Sequence, residues 1–264
     1  MRAFGAWRWT FGGGLVLAVA VAQNTGFLYQ DKQKNVTVTS VDGRGERTAS
    51  GYRLFLRGRV VATDKDQGLE IRSSQLEADA AGTANKTTLK RGIATESVKI
   101  TKTVNKPNST QRTVIEGSRA DYRDVVPYPV VDMTGPVIIR SLGATQAKTA
   151  QRQTMVATGR SGRATLDRGT KGPSLGGLRQ AELTGSVKVT VDAVENQERS
   201  KLIATASRMI IDEASAEPTV TLLDNVNMNG EGGYSVFRLT NQRRVVLRLN
   251  KNREVTSWKA ERNP

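Results

Sequence analysis

Apolar and polar residues alternate with a period of two along most of the chain. In residues 52–60, Leu54, Leu56 and Val60 fall on one face of the segment and arginines on the other. Such alternation is typical of a β-strand with one buried face. The same pattern runs through residues 186–192, 225–229 and 244–250. Val and Thr, which favour strands, are abundant, so we predict an all-β protein.

The segments between these strands carry turn residues. Clusters of Asp, Asn and Gly occur at residues 42–45, 64–68, 229–233 and 250–252. These residue types tolerate a positive φ or cap a tight turn, so consecutive strands should pair as antiparallel hairpins. Helical periodicity is weak, and the best helical stretch, residues 144–153, predicts one short helix.

A short phrase recurs along the chain: an apolar residue, any residue, Gly, any residue and Val, followed by a strand that ends in Asp. Complete copies occupy residues 56–60, 133–137 and 183–187, a degenerate copy residues 222–226, and half a copy residues 114–122. The steps from Gly58 to Gly135 and from Gly135 to Gly185 are 77 and 50 residues. A parallel β-helix, the rival fold, has regular rungs of about 20–25 residues. Unequal steps favour stacked hairpins; the rival would be an exported carbohydrate-binding or adhesive protein of the cell surface.

The composition excludes several kinds of active site. The chain has no His and no Cys, so it has no His base, Cys nucleophile, Cys or His metal site, or disulfide. Carboxylates recur in the repeats, where a turn-forming Asp at a strand end is expected. They are Asp79, Asp121, Asp167 and Asp212. We therefore predict a protein that is not an enzyme and has no metal or cofactor.

The N-terminus has the features of a secretory signal. Arg2 and Arg8 precede an apolar run over residues 11–22, which closes with the small-x-small sequence Ala20-Val21-Ala22. The run is shorter than the about 20 apolar residues that span a membrane, and an uncleaved membrane anchor is the alternative. The predicted organisation is a signal peptide or anchor at residues 1–22, a linker at 23–34 and one domain at 35–264, in the periplasm or cell envelope.

The repeated phrase, followed by a strand such as residues 71–79, resembles the OstA-like superfamily, which contains the lipopolysaccharide-transport proteins LptA and LptC. The similarity covers about residues 54–249. It implies an antiparallel twisted β-jelly roll, folded like a taco, with an open apolar groove that takes the acyl chains of lipopolysaccharide or a related envelope lipid. It also implies that like-folded proteins join edge to edge and carry the lipid to the outer membrane. The chain is longer than single-domain members of that superfamily.

The apolar positions of the regular strands are candidates for lining such a groove, although each also suits an ordinary core residue. They are Leu56, Val60, Ile71, Val137, Ile139, Val187, Val189, Met209, Ile211, Val226, Met228 and Leu239. Candidates for binding an anionic headgroup are Arg53, Arg57, Arg59 and Arg248. A guanidinium pairs with two oxygens of a phosphate or carboxylate, but a solvated strand face explains these cations equally well.

Charge and edge strands indicate the partners. The net charge of +15 suits a nucleic-acid ligand, but the export signal and the lack of aromatic residues among the basic ones argue against it. Residues 35–41 contain neither a charge nor Pro, and residues 243–249 form a long alternating strand. We predict that these two segments are the sheet edges, where another jelly-roll protein adds a strand.

Overall fold

The computed structural model describes residues 26–31, 35–66, 68–83, 86–106, 109–145, 152–168, 175–195, 198–215, 217–232, 236–250 and 255–262. The strands are β1 (Phe27–Asp31), β2 (Val36–Ser40), β3 (Asp42–Thr48), β4 (Gly51–Asp64), β5 (Leu69–Thr83), β6 (Lys86–Lys106), β7 (Ser109–Arg123), β8 (Val130–Thr145), β9 (Arg152–Arg168), β10 (Leu175–Glu195), β11 (Glu198–Asp212), β12 (Thr219–Glu231), β13 (Phe237–Leu249) and β14 (Val255–Arg262). The predicted signal or anchor at residues 1–22 lies outside the described residues. β1 lies within the segment predicted as a linker.

These strands form one open antiparallel sheet in which neighbours in sequence are neighbours in space. The order is β1-β2-β4 and then β5 to β14 in turn. β2 and β3 lie end to end along the same side of β4. Val41, between them, donates its N–H to the carbonyl of Gly58 at 2.8 Å. The predicted all-β class and antiparallel hairpins are confirmed, and the described strand pairs exclude a parallel β-helix.

The predicted edges and the predicted helix are wrong. Residues 35–41 and 243–249 are not at the edges, because β1 pairs with β2 and β14 pairs with β13. In the segment predicted as a helix, β8 continues to Thr145 and β9 begins at Arg152. Residues 146–151 of that segment lie outside the described residues.

A line of β-bulges crosses the sheet at the middle of the strands. On every even-numbered strand from β4 to β12, two residues stand opposite one residue of the next strand. The pairs are residues 58–59, 96–97, 135–136, 185–186 and 224–225. The first residue of each pair has a positive φ, from 61° at Glu96 to 89° at Gly135. The Gly of the repeated phrase is therefore the residue that a bulge requires.

The bulge at residues 96–97 reveals a copy of the phrase that the sequence pattern misses. This copy, residues 94–98, has Glu96 where three other copies have Gly. Successive bulges from Gly58 through Glu96, Gly135 and Gly185 to Asp224 are 38, 39, 50 and 39 residues apart. The repeat is thus a nearly regular hairpin, and the step of 77 residues contains two of them.

The bulge line divides the sheet into two walls. We call wall A the strand parts that lie on the same side of the line as Met209 of β11, and wall B those on the side of Ala206. Between these two buried residues, Ser207 and Arg208 are both exposed. A regular strand would place Ala206 and Met209 on opposite faces. The irregularity lets both parts of the strand turn apolar side chains toward one interior.

Walls A and B face each other at the C-terminal end of the sheet. Phe237 begins β13 in wall B, and Trp258 of β14 lies in wall A beside Leu247 of β13. Phe237 and Leu247 are ten residues apart, which is about 33 Å along a straight strand. The Phe237 and Trp258 rings nevertheless stack with their centroids 5.1 Å apart. β13 therefore folds back between them.

Substitutions at two equivalent bulges should change stability in opposite directions. Gly185 has a φ of 80°, so Gly185→Ala should lower the free energy of unfolding by about 1–2 kcal/mol. Glu96 has a φ of 61°, so Glu96→Gly should raise the free energy of unfolding by up to about 1 kcal/mol. Urea unfolding of both variants measures the two effects. Shifts of the same sign would contradict the assigned role of the bulge line.

Candidate functional site

Inward side chains of wall B form an apolar row across ten strands. In the cross-strand register each residue of the row stands opposite the next, in the order Ala62, Ile71, Ile100, Ile115, Ile139, Ala157, Val189, Ala204, Met228 and Leu239. Neighbouring strands lie about 4.8 Å apart, so the row extends for about 43 Å along the sheet. Each strand contributes one apolar residue, and the row has no polar interruption.

Wall A carries an equivalent row across the same ten strands. Its members are Leu56, Leu76, Ala94, Ala120, Met133, Gly162, Leu183, Met209, Leu222 and Val245. Residues of both rows belong to one buried cluster, in which Val189 and Met228 of wall B join Leu183 and Met209 of wall A. The two rows therefore line one continuous apolar interior.

The interior is less covered at β4–β7 than toward the C-terminus. Ile71, Ile100 and Ile115 of wall B are half-buried, as is Leu76 of wall A. By contrast, the corresponding residues of β10–β12 in wall B, Val189, Ala204 and Met228, are at most 1% exposed. An apolar ligand would therefore find the accessible part of the interior at β4–β7.

A small cavity, which we call the cleft, lies between the ends of the walls farthest from the bulges. Its apolar lining consists of Ile115, Ile139, Leu142, Met155 and Val191 from wall B, and Leu178, Ala181, Ile211, Val220, Leu247, Leu249 and Val255 from wall A. The cleft has a volume of about 40 Å³, which holds no more than a few water molecules. Polar side chains also line it: Gln111, Thr113, Ser141, Gln153 and Glu213.

A lysine extends this polar rim toward the N-terminal strands. Lys102 of β6 is registered with Thr113, and it follows inward Ile100 by two residues, so it lies on the interior face. Partial burial lowers the pKa of the Lys102 ammonium, and the charge of Asp64 opposes that shift. The interior thus has an apolar lining and a polar rim that contains an acidic side chain, Glu213, and a basic one, Lys102.

Ten of the predicted groove residues are buried in the interior, and two are half-buried. The buried ones are Leu56, Val60, Val137, Ile139, Val187, Val189, Met209, Ile211, Val226 and Met228. Ile71 and Leu239 are the half-buried ones. Among the twelve, Ile139 and Ile211 line the cleft. The sequence pattern does not identify Met155 and Leu178 of the cleft lining, because their segments lack regular alternation. Val191 and Leu247 of the lining lie in segments that the alternation predicts as strands.

The structure does not bring the four predicted headgroup arginines together. Arg53, Arg57 and Arg59 are on β4, and Arg248 is on β13, with eight strands between them. Arg57, Arg59 and Arg248 are exposed. Arg53 Nε donates to Asp79 Oδ1 at 2.6 Å, which raises the pKa of the Arg53 guanidinium. In register, Arg53 and Arg57 alternate with inward Leu54 and Leu56, so they lie on the outer face of the sheet.

Carboxylates on the outer face connect cations of neighbouring strands. Glu116 of β7 accepts a hydrogen bond from Arg140 of β8, and its Oε1 lies 3.1 Å from Lys99 Nζ of β6. These two cations, Lys99 foremost, hold the pKa of Glu116 below its ordinary value. Asp132 of β8 pairs in the same way with Arg123 and Arg163 on the strands at either side.

Three of the four recurring Asp residues do not form turns, contrary to the prediction. Asp79 pairs with Arg53. Asp121 Oδ2 lies 3.7 Å from Arg119 Nη2, and Asp167 Oδ1 lies 3.1 Å from Arg179 Nη1. These carboxylates neutralise cations of the outer face. Asp212 does act as a turn former, because its Oδ1 accepts the Ala214 N–H at 2.9 Å.

The described part of the chain holds no group of three or more acidic side chains arranged to bind a metal ion. Within the same residues, no helix is long and apolar enough to cross a membrane. Comparison of the chain with family models, curated proteins and solved structures finds no significant match.

The ion pairs around Glu116 generate a prediction about pH. Because the folded-state pKa of Glu116 lies below its ordinary value of 4.5, its contribution to stability is present above that value. The contribution is lost as the pH falls through the folded-state pKa. Glu116→Gln should lower the free energy of unfolding by about 0.5–1 kcal/mol at pH 7, and the difference from wild type should decrease as the pH falls below 4.5.

Urea unfolding at pH 7 and pH 3 measures this difference. Glu231→Gln, which removes an exposed carboxylate of β12, is the matched control and should leave stability unchanged at pH 7. A deficit of Glu116→Gln that is as large at pH 3 as at pH 7 would show that the carboxylate charge is not its cause.

Proposed function

We propose that this protein is an exported lipid-binding protein of the cell envelope, resembling LptA and LptC in function. Its ligand is lipopolysaccharide or a related amphipathic lipid, whose acyl chains lie between walls A and B on the way to the outer membrane. We also propose that the sheet is a twisted β-jelly roll with an open groove. Its role is binding and transfer rather than catalysis.

The observation that carries the proposal is the pair of unbroken apolar rows that line the interior. A surface about 43 Å long, with no polar residue in either row and with the wall B row half-buried at β4–β7, suits an elongated apolar ligand. Small-molecule sites are concave and mostly apolar, with a few polar groups that orient the ligand. The polar side chains around the cleft and Lys102 supply such groups at the ends of the walls.

Loading requires the walls to move apart. The cleft of about 40 Å³ is too small for an acyl chain, so the ligand must displace one wall from the other. The half-buried segment at β4–β7 is where this separation breaks the fewest buried contacts. The proposal therefore places the first contact with lipid at Ile71, Ile100 and Ile115 rather than in the packed C-terminal part.

The same proposal assigns partners to the sheet edges. β3 carries Arg44, Glu46 and Arg47, which is typical of an edge protected against strand addition. β1 carries the exposed Leu28, and no described strand pairs with the outer side of residues 237–240 of β13. We place edge-to-edge pairing with a like-folded protein along wall B, between β1 of one chain and β13 of the other.

The proposed export signal predicts the mass of the mature protein. Cleavage after Ala22 gives a mature chain that begins at Gln23. Intact mass spectrometry of protein purified from its own envelope should find the chain that starts near Gln23. A mass that includes residues 1–22, with solubility that requires detergent, would instead assign the protein to the anchored class.

Two adjacent residues of β7 offer a matched test of lipid binding. Ile115 lines the cleft and Val114 alternates with it on the outer face, and both are half-buried. Ile115→Asp places an unpaired charge in the interior, which is costly beside acyl chains. It should weaken binding of the fluorescent fatty acid cis-parinaric acid at least tenfold, whereas Val114→Asp should bind like wild type.

Circular dichroism and urea unfolding establish that both variants are folded before binding is compared. Native mass spectrometry of wild type from its own envelope should also show a co-purified lipid. Equal binding by the two folded variants would show that the interior is not the lipid site. Val187→Asp and Met228→Arg are unsuitable for this purpose, because both residues are at most 1% exposed and a charge there should unfold the protein.

A further inference from the structure

A short polar row crosses wall B on strands β6–β8. Lys102 of β6 is registered with Thr113 of β7, and Thr113 is registered with Ser141 of β8. Each of them lies two residues from the isoleucine that its strand contributes to the apolar row, so all three side chains face the interior. Two residues of a strand span about 7 Å. One ammonium and two hydroxyl groups therefore border the apolar row directly.

The polar row coincides with the accessible part of wall B. Lys102, Thr113 and Ser141 are half-buried. Toward the C-terminus the same row is apolar, and its register continues through Met155, Val191 and Leu202. Val191 and Leu202 are each 1% exposed. The polar side chains therefore stand only beside the strands where the apolar row is still partly exposed.

The Lys102 ammonium is in surroundings that an anion would improve. Asp64 of β4 stands in the same row, with Leu69 of β5 between it and Lys102. Burial lowers the pKa of Lys102 by more than the charge of Asp64 raises it. By contrast, Lys99 on the outer face of β6 has Glu116 Oε1 3.1 Å from its Nζ. A further negative charge beside Lys102 would favour its charged form.

We infer that Lys102, Thr113 and Ser141 bind the anionic headgroup of the lipid, a carboxylate or phosphate whose acyl chain lies on Ile100 and Ile115. This inference rests on the proposed lipid-binding function, and it names the chemistry that the ligand carries next to its chain. The ammonium and the two hydroxyl groups donate hydrogen bonds to the anion. The anion lies on the β7 side of Lys102, away from the β4 strand that carries Asp64.

Two ligands that differ only in the charge of the headgroup give the direct measurement. They are cis-parinaric acid, which carries a carboxylate, and its methyl ester, which has the same chain and no charge. Lys102→Met keeps the length of the side chain and removes its charge. It should weaken binding of the acid about tenfold, the effect of losing one hydrogen bond between charged groups, and leave binding of the ester unchanged.

Three further variants serve as controls, each checked for folding by circular dichroism and urea unfolding. Lys102→Arg keeps the charge and should bind the acid like wild type. Lys99→Met removes a cation from the outer face of the same strand and should bind both ligands like wild type. The double variant Thr113→Val, Ser141→Ala removes the two hydroxyl groups and should weaken binding of the acid about threefold, without affecting the ester.

Two measurements test whether the site recognises an anion and whether that anion belongs to a lipid. Glu213 also lines the cleft, and its charge repels an anion, so Glu213→Gln should bind the acid at least as tightly as wild type. Weaker binding of the acid by this variant would contradict the inference. Inorganic phosphate alone should not displace the acid, because it lacks the chain. Displacement by phosphate would assign the site to a free anion and overturn the headgroup site.

The outcomes separate the two proposals. If wild type binds both ligands and folded Lys102→Met either binds the acid like wild type or loses acid and ester equally, the headgroup site is disproved and the lipid-binding function stands. If wild type binds neither ligand and no lipid co-purifies from the envelope, the proposed function fails and the headgroup site fails with it.

Discussion

The folding of this sheet onto itself depends on the extra residue that each even-numbered strand from β4 to β12 carries at its bulge. An antiparallel sheet of this width has two faces, and a chain with apolar residues on one face alone must fold that face onto itself or onto another layer. The bulges at residues 58–59 through 224–225 make this possible, because a two-for-one pairing bends a strand and increases its twist. They recur in line, so every strand bends at the same level and the bends add up to a crease.

The charge distribution follows from the same geometry. With the apolar rows inside, the charged residues of the described strands are left mainly to the outer face and the rims. There the register places carboxylates between cations, as with Glu116 between Lys99 and Arg140. Such exposed pairs contribute little individually. Like charges still stand directly opposite each other at some positions, such as Arg91 with Arg123 and Asp121 with Asp132, which is unfavourable. The two aspartates at these positions each also pair with an arginine.

Sequence patterns predicted the strands and the hairpins but not how the sheet folds back on itself. The alternation around Leu56 and Val189 predicts buried strand faces correctly, and the repeated phrase turns out to be the bulge. The copy with Glu96 and Ser97 escaped because both residues adopt a positive φ without being Gly. β1 was missed because its residues do not alternate between apolar and polar: three apolar residues are followed by two polar ones. Which wall faces which depends on the two successive outward residues of odd-numbered strands, such as Ser207 and Arg208, and a rule of strict alternation treats these as errors.

The unequal covering of the interior is accompanied by a difference in side-chain size. In wall A the row passes through Ala94 and Ala120 at β6 and β7, and then through Leu183, Met209 and Leu222 at β10–β12. In wall B, Ile100 and Ile115 are half-buried. Long residues fill the space between the walls, so their own exposure is close to zero. Wall B is therefore most accessible at β4–β7, and the interior is most tightly filled at β10–β12. A ligand that entered at β4–β7 would cover apolar surface that is still partly exposed, whereas at β10–β12 it would have to displace contacts already formed.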